Sequence, residues 1–459
     1  MKSKLSSHLR ELRRLLPTGE LTLDPGVLQA HSGDKWFAAH LPEAVALPRR
    51  TKSVSQILRF ANRHRIPVTA RGAGFGYVGG CVPARGGIAL SLARMNRIRE
   101  ISEGDFIAVA QPGVIVKDLQ DAVEKKHLYY PPDPASRADC SLGGTIATNA
   151  GGPRCLKYGV TWDYILGLEV VLADGSIVHV GGRTHKNKTG FELTRLFVGS
   201  EGLLGIVTEA TVKLIPLPPF RSLLVAGFKN MPAAARAMRA IFHAGHLPCA
   251  LELADGFTLE AARKHTGSKR LLGSAALIMT ELDGQEKAVR QEMRALQELI
   301  KRHAPVMMNC ARGNAECEKL WELRRVFSSS LRASGLIKLN EDIVVPRGRL
   351  EDLFIFTGRL QKKYQVPVAC FGHAGDGNIH VNVMYDERWP GIRRRTSALL
   401  DELFHQVLAW NGAITGEHGI GLAKKRWWPM AVSKEVLALH SRIKHAVDPR
   451  GILNPGKFV

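Results

Sequence analysis

Arg71-Gly72-Ala73-Gly74-Phe75-Gly76-Tyr77-Val78-Gly79-Gly80 packs five glycines into ten residues, directly after the apolar run Pro67-Val68-Thr69-Ala70. A segment like this resists regular helix, because glycine loses the most backbone entropy when it is fixed. It offers instead a row of backbone N–H groups that can converge on an anion with no Cβ in the way. Gly74-x-Gly76-x-x-Gly79 matches the dinucleotide-binding fingerprint in form, but that fingerprint needs a helix to follow at once. Here Gly80-Cys81-Val82-Pro83-Ala84-Arg85-Gly86-Gly87 follows, a very poor helix. The nicotinamide-type Rossmann reading fails. A glycine-rich turn between strands and a phosphate cradle of another kind both remain.

Two further glycine clusters shift the balance. Pro131-Pro132-Asp133-Pro134 leads into Ser141-Leu142-Gly143-Gly144-Thr145-Ile146-Ala147-Thr148-Asn149-Ala150-Gly151-Gly152, and then Lys157-Tyr158-Gly159. The third is Gly199-Ser200-Glu201-Gly202-Leu203-Leu204-Gly205-Ile206-Val207-Thr208. Three such loops in one region imply a long, phosphate-bearing ligand lying against backbone.

Around these loops the pattern is mixed. Leu5, Leu9, Leu12 and Leu16 recur at helical spacing between arginines, which predicts an amphipathic helix over 5–16. Residues 44–47 and 67–70 read as strands flanking a helix at 54–64. Strand-like runs then recur at 106–110, 166–172, 176–180 and 205–214, with few helices. Pro216-Leu217-Pro218-Pro219 marks the clearest boundary. Beyond it helices are expected at 232–244, 255–265, 284–303 and 317–334, and strands at 223–228, 275–282 and 338–345. The fold class is α+β, divided into residues 1–218 and 219–459.

The seven cysteines are dispersed and form no C-x-x-C pair. They read as reduced thiols of a cytosolic protein and argue against an iron–sulfur cluster of the usual spacing. No apolar run reaches the roughly 18 residues of a membrane span, and the basic start lacks the features of a secretory signal. Lys and Arg number 64 against 42 Asp and Glu, a formal charge of +22. That suits a nucleic acid, an anionic membrane or small anions. No basic stripe interleaved with aromatics supports the first.

With three ordered motifs on the page, the chain resembles the FAD-linked oxidases of the vanillyl-alcohol-oxidase type, in particular D-lactate dehydrogenases and glycolate oxidase flavoprotein subunits. The resemblance runs from about residue 40 to 457. It implies a two-subdomain FAD-binding domain followed by a ferredoxin-like substrate (cap) domain, with the last stretch returning to the flavin. It further implies that Arg71, Gly72, Ala73, Gly74, Phe75, Gly76, Gly79 and Gly80 grip the FAD pyrophosphate. Pro132, Gly143, Gly144, Thr145, Asn149, Tyr158, Gly159, Ile206 and Val207 would line the rest, and Asn454 would reach the flavin. Phe75 stands where covalently flavinylated relatives carry histidine, so FAD is expected to be non-covalent.

A second constellation lies further on. His373-Ala374-Gly375-Asp376-Gly377-Asn378-Ile379-His380 joins a turn signal to strand-like alternation, and such a turn brings two imidazoles together. Gly416-Glu417-His418-Gly419-Ile420-Gly421 is another polar pair among glycines. Two histidines and a carboxylate with an open position describe a catalytic divalent-metal site. They also describe a non-heme Fe(II) oxygenase. By the resemblance, His373, His380 and Glu417 hold zinc or manganese and His418 is the general base. Arg324 and Lys338 would clamp the substrate carboxylate, with Ser328 one helical turn beyond Arg324.

The expected activity is therefore FAD-dependent oxidation of a 2-hydroxy acid of the lactate/glycolate class. Electrons would pass to a quinone, a cytochrome or an iron–sulfur partner, with peripheral contact at the inner face of a membrane. Flavin alkyl-transfer without net oxidation is the alternative within the family. Lys424-Lys425-Arg426-Trp427-Trp428 reads either as a membrane contact or as a wall of the site.

Overall fold

The leucine stripe near the start becomes the helix Lys2–Leu15 in a computed structural model that describes residues 2–267 and 273–459. Leu9, Leu12 and Leu16 are buried; the Leu5 side chain lies outside the described residues. The stripe packs with Ile57, Leu58 and Phe60 of the helix Thr51–His64. Beneath lies a sheet ordered Leu21–Thr22, Ala44–Ala46, Ile88–Ser91, Val68–Arg71, whose last three strands are parallel. Parallel strands need crossover connections, and Thr51–His64 supplies one.

A second sheet in the same unit is antiparallel, in the order Ile98–Ser102, Ile107–Ala110, Ile206–Lys213, Ile165–Val171, Ile177–Gly181. Ile206–Lys213 alternates buried and half-buried positions strictly, as a strand covered on one face should. These two sheets are the two subdomains expected. Several helices lie outside the expected set, Val116–Glu124, Leu350–Tyr364, Ile392–Ala409 and Lys434–Val447 among them. Another is Leu142–Thr148, formed by the second glycine cluster itself, with Ser141 as N-cap accepting from Gly144 N.

The units do not divide the chain at one point. The first comprises Met1–Gly151, Val160–Leu217 and Glu417–Val459; the second comprises Gly152–Gly159 and Pro218–Gly416. Residues 152–159 depart from a contiguous division at 218, whereas the last stretch returns to the first unit. The C-terminal stretch joins the first unit because it completes that unit's hydrogen bonding. Val68 N donates to Ile452 O at 2.8 Å and Asn454 N to Val68 O at 2.8 Å. Asp448 accepts the amides of Ile452 and Leu453 at 3.0 and 2.8 Å, and Ile452 and Leu453 enter the apolar core.

The second unit is a seven-stranded antiparallel sheet ordered Met307–Arg312, Phe220–Phe228, Ala276–Gly284, Ala250–Asp255, Val368–His373, Asn378–Tyr385, Ile337–Val344. The helices Gly256–Thr266 and Asn314–Arg332 bury Leu259, Leu320, Trp321, Phe327 and Leu331 against one face, beside Leu223, Met279, Phe371 and Met384. This is the α+β layering expected of the cap domain.

Residues 152–159 belong here for an electrostatic reason. Glu281 is fully buried and meets Arg154 at 2.8 Å, Arg221 at 3.3 Å and the Trp321 indole N–H at 2.5 Å. Burial works to raise this carboxyl, but the charges of Arg154 and Arg221 outweigh it and hold it below its usual range. Lys157 and Tyr158 reach Asp283 at 2.5 and 2.7 Å. Glu281→Ala removes the buried carboxylate that Arg154, Arg221 and Trp321 share, so a loss of about 3–5 kcal/mol is expected. Denaturant unfolding measures it, and a loss under about 1 kcal/mol would mean that water replaces the carboxylate.

None of the seven cysteines is in a disulfide. No described helix is long and apolar enough to cross a membrane. Within Lys424–Trp428, Lys424 and Trp427 are buried and Trp428 packs edge-on against His440 and Phe458, while Lys425 and Arg426 are exposed.

Candidate functional site

In the first unit the three glycine clusters meet. No helix follows the first loop, as the sequence requires. Ala73 N donates to Ser141 Oγ at 3.3 Å, tying this loop to the start of the second cluster. Gly199 N and Glu201 N donate to Ile146 O and Ala147 O at 2.8 Å each, backing the third cluster on the same short helix. Asn454 Nδ2 donates to Gly80 O at 2.9 Å and Glu201 O at 2.8 Å, so the C-terminal stretch joins the first and third clusters.

Among the described residues the amides of Gly74, Phe75 and Gly76 donate to no protein group. Unused donors of this kind fit a phosphate. The Arg71 guanidinium packs against Gly74, where a Cβ would stand 2.1 Å from its Nη2, and donates to Gly33 O and Cys81 Sγ, bracing the loop. Beside the loop is a cavity of about 350 Å³ lined by Gln29, Asp34, Lys35, Trp36, Arg71 and Phe75. The Lys35 ammonium sits 4.5 Å from the centre of the Phe75 ring.

Other residues expected on the cofactor have their polar groups engaged within the protein. Gly143 N donates to Pro112 O at 2.8 Å, and a Cβ on Gly143 would stand 2.5 Å from Pro112 Cβ. That glycine is required by packing. Gly144 N is taken by Ser141, and Thr145 Oγ1 donates to Leu142 O at 2.8 Å. Asn149 ends the helix at φ 51° and accepts from Trp162 N at 2.9 Å. Pro132 O accepts from Gln120 at 3.0 Å. Ile206 is buried in the core, Val207 half-buried. Tyr158 and Gly159 fall in the second unit, with the Tyr158 hydroxyl committed to Asp283.

The segment after Gly416 is held by a residue that the sequence reading passed over. Glu201 is buried and accepts from Ile420 N and Gly421 N at 2.7 and 2.9 Å. Burial pushes its carboxyl up to about 7, against those two backbone bonds and the charges of Lys457 and Lys424. The His418 ring lies 5.1 Å from the Tyr77 ring.

In the second unit the histidine motif folds as a hairpin, Val368–His373 with Asn378–Tyr385. His373 pairs with Asn378 and Phe371 with His380, so alternation puts both imidazoles on one face. Gly377 allows the turn: its φ is +88° and a Cβ would stand 2.1 Å from Val345 O. Asn378 Nδ2 donates to Ile343 O at 2.9 Å, fixing the turn to the neighbouring strand. The two rings lie 5.5 Å apart at 81°.

Glu417 follows Gly416, whose N–H donates to Asp342 Oδ2 at 3.0 Å, so the chain leaves the second unit at that point. One ligand atom from each of His373, His380 and Glu417 lies within 4.8 Å of the others. Two imidazoles and a carboxylate at this spacing fit a divalent transition metal with open positions.

On the same sheet face, Arg324 of the helix Asn314–Arg332 is buried. Its Nε pairs with Glu252, and its guanidinium carbon lies 4.7 Å from the Phe371 ring centre. Lys338 is half-buried, donates to Ser328 Oγ at 2.7 Å and lies 5.6 Å from the same ring. Ser328 thus faces this pair, as its spacing from Arg324 predicted. Burial, then the charges of Arg332 and Arg324, lower the Lys338 ammonium to about 7.

The sequence reading also missed Glu252, the sole acid within Cys249-Ala250-Leu251-Glu252-Leu253-Ala254. An acid at the centre of an apolar strand is itself a signal, since burying a lone carboxylate is costly. Glu252 Oε1 meets His373 Nδ1 at 2.5 Å. Burial works to raise this carboxyl, yet His373 and Arg324 outweigh it and hold it at about 2.

Comparison with known proteins follows the same outline. The family described as FAD linked oxidases, C-terminal domain, matches residues 217–458, and the family FAD binding domain matches residues 42–181. Glycolate oxidase subunit GlcD of Bacillus subtilis is 40% identical, covering 91% of this chain and 89% of its own length. D-lactate dehydrogenase of Anaerostipes hadrus is 32% identical over 91% of this chain and 89% of its own. Among solved structures, 4-ethylphenol oxidase from Gulosibacter chungangensis superposes with a TM-score of 0.79, covering 100% of this chain and 97% of that one. At 20% identity the last likeness concerns fold alone.

Proposed function

The chain belongs to the FAD-linked oxidase family, and from that premise we propose that it oxidises a D-2-hydroxy acid, or the achiral glycolate, to the 2-keto acid. The observation that carries this reading is the meeting of His373 and His380 on a sheet face beside Arg324 and Lys338. When bound, FAD supplies the hydride acceptor and a zinc or manganese ion supplies Lewis-acid stabilisation of the developing alkoxide.

The chain's own residues do the rest. The amides of Gly74, Phe75 and Gly76 take the phosphates, without a covalent bond at Phe75. Arg324 presents a planar fork to the substrate carboxylate, and Lys338 adds a point charge beside Ser328. His373, His380 and Glu417 hold the metal. His418 accepts the hydroxyl proton, a task suited to an imidazole near neutral pH. Electrons would leave for a quinone, a cytochrome or an iron–sulfur partner. Contact with the inner face of a membrane suits both the quinone and the +22 charge.

Anaerobic mixing of the yellow protein with D-lactate, L-lactate and glycolate tests the reading. Bleaching of the flavin by D-lactate or glycolate is expected, and no bleaching by any 2-hydroxy acid would overturn it. The Fe(II) oxygenase alternative gives way, since that chemistry needs no FAD-binding domain. The alkyl-transfer alternative has a solved relative in alkyldihydroxyacetonephosphate synthase, but at 18% identity the likeness is one of fold.

Lys338 predicts a pH dependence. Its ammonium is charged below about 7 and loses the proton above it. KM for the acid is therefore expected to stay level below pH 7 and to rise about tenfold by pH 9, an ionic hydrogen bond being lost. In Lys338→Met the KM should be high and independent of pH over that range. A wild-type KM that stays flat to pH 9 would remove Lys338 from substrate binding.

A further inference from the structure

We infer that Glu252 is a positioning residue whose one carboxylate sets two groups at once, the metal-ligating His373 and the anion-binding Arg324. The inference rests on the roles just proposed for those two residues. It concerns how they are held.

Glu252 stands at the centre of the strand Ala250–Asp255, directly paired with His373 of the next strand. Its neighbours Leu251 and Leu253 point to the opposite face, so its side chain enters the helix-covered face, where it is almost wholly buried. A buried carboxylate is tolerated only when both oxygens are matched. Here each oxygen has a separate client: Oε1 meets His373 Nδ1 at 2.5 Å and Oε2 pairs with Arg324 Nε.

Each contact has a directional consequence. When His373 Nδ1 carries the proton toward Glu252, the lone pair is left on Nε2, the atom then available to a metal. With the Nε edge of Arg324 held by Glu252, the remaining N–H groups of the planar fork point in a set direction. Arg324 also supplies the counter-charge that keeps Glu252 ionised beside the imidazole. Ligand orientation and carboxylate recognition thus share one support.

The test uses the FAD-loaded protein stripped of divalent metal, with Mn²⁺ alone as probe and free Mn²⁺ read by its paramagnetic resonance signal. Glu252→Gln is expected to weaken Mn²⁺ binding about 10–100-fold, the usual effect of removing a group that orients a metal ligand. It is also expected to raise KM for the best acid of the panel about tenfold. Flavin content should stay at the wild-type level. A merely structural ion pair would lower the melting temperature and leave Mn²⁺ affinity of the folded protein unchanged. Should Glu252→Gln fail to fold, Glu252→Asp retracts the carboxylate by one methylene and should weaken Mn²⁺ at least about threefold by the same principle.

His373→Ala separates the failures. If it abolishes Mn²⁺ binding while Glu252→Gln binds as wild type does, the inference is overturned and the metal assignment stands. If His373→Ala binds Mn²⁺ normally, the metal assignment falls and the inference with it.

Discussion

His418→Ala is expected to yield a yellow, folded protein with FAD at wild-type stoichiometry and turnover reduced by about 10²–10⁴, the range for a positioned general base. His418 follows Glu417 directly, and the turn after it is pinned by Glu201 through Ile420 and Gly421. A base anchored this way loses little rotational freedom when it acts. Its removal leaves the glycine clusters and their amides untouched, so FAD should remain. The measurement is dye-linked turnover together with the flavin spectrum. A variant within about threefold of wild type would disprove the base assignment, whereas loss of FAD would recast His418 as a cofactor contact.

Removal of the divalent metal is expected to have an effect of similar size. Dialysis against a chelator should cut turnover by about 10²-fold or more, because Lewis-acid stabilisation of an alkoxide contributes several kcal/mol. Zinc or manganese should restore it. His380→Ala should lose both the activity and the restoration, since two remaining ligands bind weakly and leave the metal mobile. Flavin content should be unaffected, because none of the three ligands lies in the glycine clusters. Turnover that ignores the chelator would take the metal out of the reaction, leaving Arg324, Lys338 and His418 to carry it.

Much of this is legible in the sequence. The strand expected at 67–70 forms as Val68–Arg71 and the glycine loop follows it without a helix, because local backbone chemistry decides both. The His373–His380 hairpin is also local: a Gly-Asp-Gly-Asn turn and period-2 alternation bring both rings to one face. The helices at 51–64, 231–243 and 314–332 lie within a few residues of expectation.

The second glycine cluster predicts a loop and forms the helix Leu142–Thr148. Burial against Pro112 and capping by Ser141 outweigh the poor helix propensity of Gly143 and Gly144. Nothing local shows what pairs with Glu252 or Glu281, each an acid set among apolar residues of a strand. Their partners, Arg324 and His373 for one and Arg154, Arg221 and Trp321 for the other, lie 40 to 127 residues away.

What the amino-acid order determined by itself was short-range: which segments are strands, where the glycine amides are exposed, and which turn carries the two histidines. The tertiary structure alone decided the company these groups keep. It assigned residues 152–159 to the second unit, and it set one buried carboxylate between a histidine and an arginine. The physical reason is that propensity and periodicity act over a few residues, whereas the pairing of buried charges is settled by whichever distant group completes the hydrogen bonds once water has been expelled.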